Sequence, residues 1–140
     1  MLALAQARVL DAGLGTRIAL EHRHLPDDSL PTSHFDAVVC NSVLHHLADP
    51  QVLWTTIARV ARPGARIAVG DLRRPTSATE LAELVATHAA DAPEVLREDY
   101  AHSLAAAYTL DEIAAQVQTA GLDLHVEATT DRHVLVTGVR

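Results

Sequence analysis

Residues 35–75 read "FDAVVCNSVLHHLADPQVLWTTIARVARPGARIAVGDLRRP", and the order of elements in this stretch decides the architecture. It opens on Phe35 to Ser42, a compact run of β-formers whose continuous apolar centre is the pattern of a central strand covered on both faces. Asp49-Pro50 starts a helix over 50–61, in which Val52, Leu53, Ile57 and Val60 share one side and Pro63-Gly64 makes the stop. Residues 65–72, "ARIAVGDL", follow as a second buried strand. A strand, a crossover helix and a strand make one parallel unit.

Downstream, the spacing predicts helices over 77–89, 92–108 and 109–121. The last begins with Thr109 and Glu112 at capping-box spacing and ends at Gly121. Residues 122–130 and 133–139 are two β-runs around a tight Asp131-Arg132 turn, an antiparallel hairpin. Upstream, Leu2, Leu4, Ala5, Val9 and Leu10 recur at helical spacing, and Gly13 is placed to end that helix. "TRIALEHRHL", residues 16–25, reads as a short strand before a Pro/Asp/Ser loop.

With 140 residues the chain has room for one domain. Hydrophobic residues make up 49% but aromatics only 3%, so the core is expected to consist of Ala, Leu and Val. A net charge of −7 argues against a nucleic-acid partner, which needs clustered Lys and Arg. Cys40 is the sole cysteine, which excludes an internal disulfide and a thiolate-rich metal site and fits a reducing cytoplasm. No segment approaches the ~20 apolar residues of a membrane span, and the start of the chain lacks the cationic and apolar pattern of a leader. The expectation is a soluble, cytoplasmic protein without a membrane partner.

Residues 35–75 resemble the central segment of the class I S-adenosylmethionine-dependent methyltransferases, in which a strand ending in a short polar pair leads to Leu-His-His-Leu, a helix, a Pro-Gly turn and a strand ending in Asp. Residues 107–138, "AYTLDEIAAQVQTAGLDLHVEATTDRHVLVTG", are similar to the end of the same family. The resemblance implies an α/β fold: a truncated Rossmann-like class I methyltransferase sheet, mostly parallel, with a C-terminal antiparallel hairpin.

That family begins on a strand and a Gly-rich turn, of which "VLDAGLGT", residues 9–16, looks like a copy. Spacing argues otherwise. Only 24 positions separate Asp11 from Phe35, whereas one strand–helix–strand unit takes ~30 residues or more and the family places two between those landmarks. The alignment that fits sets residues 1–31 on the family's second crossover helix and third strand, making Gly13 a helix cap and Gly15 loop. Residues 1–140 are then a single partial methyltransferase domain lacking the first two strands of the family's 3-2-1-4-5-7-6 sheet. Residues 17–22, "RIALEH", would either collapse onto "FDAVVC" or leave an apolar edge to be met by a second copy, as a homodimer, or by a complementing N-terminal fragment.

The cofactor implied is S-adenosyl-L-methionine, with a small-molecule methyl acceptor. The resemblance places His24 and Leu25 near the adenine, and Cys40, Asn41 and Ser42 at the methionine end, where ligands sit in open parallel sheets. The Gly-rich turn and the acidic ribose contact have no counterpart. His45 and His46 are the candidates for a catalytic base. As neighbours on a helix-like turn they are expected to point in different directions, and nothing completes a metal site around them. His22 and His24, on a strand, would share a face. Asp71, Arg73 and Arg74 follow the second strand and are candidates for the acceptor pocket; the alternative is a solvated loop with a local ion pair. Cys40 reads as a small buried hydrophobe. Tyr100, His102 and Tyr108 lie where the family varies its substrate cover, and packing is the expectation for them. Two functions follow: a methyltransferase with weak or no activity by itself, or a non-catalytic remnant or partner subunit that associates through its sheet edge.

Overall fold

The computed structural model describes all of residues 1–140. Helix α1 (Leu2–Asp11) leads through a long irregular segment to β1 (Phe35–Asn41) and a single 3-10 turn (Leu44–His46). Helix α2 (Gln51–Val60) and strand β2 (Ala61–Leu72) follow, then α3 (Ala78–His88), α4 (Glu94–Ala106), α5 (Leu110–Thr119), β3 (Leu124–Ala128) and β4 (His133–Val139). The sheet has four strands in the order β1-β2-β4-β3. β1 and β2 pair parallel, while β4 pairs antiparallel with both β2 and β3. Three strands therefore run one way and β4 alone opposes them, so the sheet is mostly parallel by direction although two of its three pairings are antiparallel.

Helix ends fall where capping chemistry puts them. Thr109 and Glu112 form a complete capping box on α5. Gly13 closes α1 at φ +68, with its own N–H donating to Leu10 and that of Leu14 donating to Val9. This is the paired C-terminal bond pattern that a left-handed glycine permits. "VLDAGLGT" is thus the tail of α1, its cap and the loop beyond, as the spacing predicts.

One sheet face is covered and the other is open. Val38 and Cys40 of β1, Ile67 and Val69 of β2 and Val134 and Val136 of β4 face Leu53, Trp54 and Ile57 of α2 and Ile113 and Val117 of α5. Trp54 is fully buried, and its indole N–H donates to Gln116 Oε1 at 3.0 Å, so this large ring leaves no polar atom unpaired. On the opposite face Val39 remains 76% exposed.

Three expectations are corrected. β1 is not a central strand but an edge strand. Residues 16–25 hold no strand, and "RIALEH" does not pair with β1. The two corrections are one arrangement: nothing pairs with the outer edge of β1, so β1 ends the sheet and residues 17–22, making no ladder with it, hold no strand. The helix stop also differs. β2 begins directly after Val60, and Pro63-Gly64 lies in an irregularity between the pairs Phe35–Ala61 and Ala37–Arg66.

Candidate functional site

The register of β1 on β2 pairs Asn41 with Gly70, so the chain leaving β1 meets Asp71 as it leaves the neighbouring strand. Ser42 turns the chain at φ +55, in the left-handed region that non-glycine residues occupy at a cost of ~1–2 kcal/mol. This turn aims two successive amides at one carboxylate. Val43 N–H and Leu44 N–H donate to Asp71 Oδ2 at 2.9 and 2.7 Å. Leu72 N–H donates to Oδ1 at 2.7 Å, and His45 Nδ1 stands 2.5 Å from the same oxygen. The Asp71 side chain is 1% exposed and that of His45 6%.

Three amides directed at one carboxyl group are the arrangement of a charged, accepting carboxylate. His45 Nδ1 is accordingly the protonated ring nitrogen and donates to Asp71. Nε2 keeps its lone pair, and a carboxylate behind an imidazole both fixes this tautomer and stabilises the ring when it gains a proton. Such a pair can accept a proton from a ligand.

His45 lines a cavity of about 360 Å³ together with His46 and, from α4, Asp99, His102, Ser103 and Ala106. The two adjacent imidazoles do not diverge as expected. Their ring centroids are 3.9 Å apart at a 41° tilt, and both line this cavity. The backbone there is a single 3-10 turn, Leu44–His46, in which the His45 ring is also held by Asp71.

The other candidates divide among separate places. Asn41, Ser42 and Asp71 border a polar hollow of about 360 Å³ at the carboxyl ends of β1 and β2, together with His133. Burial, followed by the Arg132 charge, holds the His133 imidazole below its ordinary value. Leu25 and Cys40 border a groove of about 410 Å³ along the free side of β1, where 11 of 12 lining residues are hydrophobic. Burial pushes the Cys40 thiol up, and the Asp71 charge adds to it. His24 joins neither cavity. It lies on an exposed loop, its ring edge-on to His22 at 5.0 Å without the strand expected to align them.

Arg74 is paired with Glu112, and Arg73 reaches Glu80 at 3.4 Å, so both guanidinium groups sit in local ion pairs with α5 and α3. What the sequence reading missed is the link between His45 and Asp71, 26 residues apart. A signal existed: two parallel strands in register bring their carboxyl ends together.

Residues 1–69 match the family model described as a methyltransferase domain. The chain is 31% identical over 119 residues to 27-O-demethylrifamycin SV methyltransferase of Amycolatopsis mediterranei, covering 85% of this chain and 40% of that protein. It is also 31% identical over 81 residues to the ubiquinone biosynthesis O-methyltransferase of Xanthomonas oryzae pv. oryzae, covering 56% of this chain and 34% of that one. Among solved structures, a SAM-dependent methyltransferase from Aquifex aeolicus superposes with a TM-score of 0.68 at 18% identity, over 96% of this chain and 61% of that one. An O-methyltransferase family protein from Burkholderia thailandensis does so with a TM-score of 0.62 at 18% identity, over 97% and 40%. These superpositions concern the fold. The chain spans two fifths or less of the length of these two curated relatives.

Proposed function

We propose that this chain, a relative of the class I S-adenosylmethionine-dependent methyltransferases, carries the acceptor side of a methyl-transfer site acting on a hydroxyl group of a small molecule. The observation that carries the reading is the buried His45–Asp71 pair at the wall of a cavity. Asp71 is the positioning residue. His45, through Nε2, takes the proton that an acceptor hydroxyl releases as its oxygen becomes a nucleophile. The hydroxyl assignment is supported by the names of the two curated relatives, both of which act at oxygen.

S-adenosylmethionine supplies, when bound, an electrophilic methyl group on a sulfonium. The residues present fit this group only in part. Asn41 and Ser42 offer polar atoms at the carboxyl ends of the parallel strands, where such ligands bind. The groove beside β1, bordered by Leu25 and Cys40, offers apolar walls with Thr56 as its one polar lining residue, and no acid stands there for ribose hydroxyls. His24, Arg73 and Arg74 lie apart from the cavity and are not assigned a part. We therefore take residues 1–140 as a partial domain whose grip on the cofactor is weak by itself.

The test is transfer of labelled methyl from millimolar S-adenosylmethionine to phenolic hydroxyls. Slow transfer that disappears in His45→Gln is expected. No product, or product at an unchanged rate in His45→Gln, would refute the role of His45 in transfer.

A second reading rests on another observation. The free edge of β1 and its apolar groove suit a partner subunit that works by pairing its sheet. A chain that forms a stable complex through β1 yet gives no product would support it.

A further inference from the structure

Helix α4 carries two stripes. Tyr100 and Leu104 lie at i and i+4; Leu104 is fully buried, as is Ala107 just past the helix end, so this stripe is the packing side. Asp99, His102, Ser103 and Ala106 recur at i, i+3, i+4 and i+7 on the adjoining side, and this second stripe faces the 3-10 turn across the cavity that holds His45. Ala106 ends the stripe with a methyl group.

The lining is a carboxylate, three imidazoles and a hydroxyl, with Ala106 as its single apolar member. No Lys or Arg is among these residues, and Asp99 brings a negative charge to the cavity in a chain whose net charge is −7. An anionic ligand would meet repulsion there and find no fixed cation. Imidazoles and a serine hydroxyl both donate and accept, and a carboxylate accepts from hydroxyls. A volume near 360 Å³ is at the lower end for small-ligand sites.

We propose that the polar stripe of α4 is the specificity wall of the acceptor site, and that it takes a neutral ligand carrying two neighbouring hydroxyl groups. One hydroxyl lies at His45 Nε2, and Asp99 and His102 hold the other. This rests on the methyl-transfer reading for the fate of the first hydroxyl, whereas the recognition of the pair stands on the cavity alone.

The test is imidazole NMR on the chain carrying isotope-labelled histidine, titrated with catechol, with resorcinol (whose hydroxyls are not adjacent) and with inorganic phosphate. Catechol should shift the His45, His46 and His102 signals saturably, and at least about tenfold more tightly than resorcinol. Asp99→Asn and His102→Ala, both at exposed positions, should each weaken catechol by about tenfold while leaving the folded spectrum unchanged. Phosphate binding more tightly than catechol, or catechol binding indifferent to both substitutions, would overturn the assignment. The two readings separate cleanly. Catechol binding that needs Asp99, without methylated product, upholds the wall and overturns transfer; product that ignores both α4 substitutions does the reverse.

Discussion

Replacing Asp71 by Asn keeps the shape of the side chain and removes only its charge and one acceptor. The remaining carbonyl oxygen can hold Val43 and Leu44, as Oδ2 does at 2.9 and 2.7 Å. The new NH₂ then stands where Oδ1 was, facing Leu72 N–H and His45 Nδ1. Leu72 loses its acceptor, and an orphaned buried donor costs ~1–3 kcal/mol. The bonds that persist lose their charge assistance. A total loss of about 2–4 kcal/mol follows, which a 140-residue domain survives folded. The larger effect is on His45. An NH₂ group at Nδ1 needs a lone pair to receive it, so the imidazole proton moves to Nε2 and the proposed base becomes a donor. Methyl transfer should fall ~10²–10⁴-fold, the usual worth of a positioned base. Long-range ¹H–¹⁵N NMR of the imidazole reads the tautomer directly, and urea denaturation reads the stability. The reasoning is refuted if His45 keeps its proton on Nδ1 in Asp71→Asn, or if the native chain already carries it on Nε2.

Four further outcomes are expected. Gly121→Ala should cost about 1 kcal/mol in urea denaturation, because Gly121 caps α5 at φ +70 where a side chain is strained although its space is open. Gly138→Ala should cost about 1 kcal/mol by the same measurement, since Leu124 Cδ2, 2.7 Å from the new Cβ, can swing aside while Asp123 O and Leu124 Cα press on it at 3.3 Å. Cys40 should be slow to react with a thiol reagent at neutral pH and gain rate only above the usual thiol range, because burial and the Asp71 charge raise its pKa. The folded chain then holds the thiol proton longer than the unfolded one, so this group weakens stability as pH climbs past the unfolded thiol value. Val39→Lys, on the open face of the edge strand, should lower concentration-dependent self-association in sedimentation experiments; an unchanged profile would remove the β1 edge as its cause.

Local chemistry made much of the fold legible. The capping box at Thr109, the glycine that ends α1 and the periodicity of 50–61 and 109–121 are signals contained within a few residues, and the elements appear where those signals fall. "RIALEH" shows the opposite case, since its β-pattern is local but a strand exists only with a partner, and the sheet ends at β1. The apolar run of 35–41 misled for the same reason. Its composition suits burial on both faces, while its place in the sheet leaves Ala37 and Val39 exposed. In the site, His45 was visible in Leu-His-His-Leu, but its partner was not, because Asp71 reaches it only through the β1–β2 register. The α4 stripe was hidden because Asp99, His102 and Ser103 are polar residues that read equally as the solvent side of a helix.

The central claim is that these residues hold an acceptor-side base but little of the cofactor's grip. Calorimetric titration of S-adenosylhomocysteine into the 140-residue chain tests it most directly. A dissociation constant weaker than ~100 µM, about −5.5 kcal/mol, is predicted from the apolar groove beside β1 and the absence of an acid within it. Low-micromolar binding would contradict the claim, because the full grip on the cofactor would then lie within this chain.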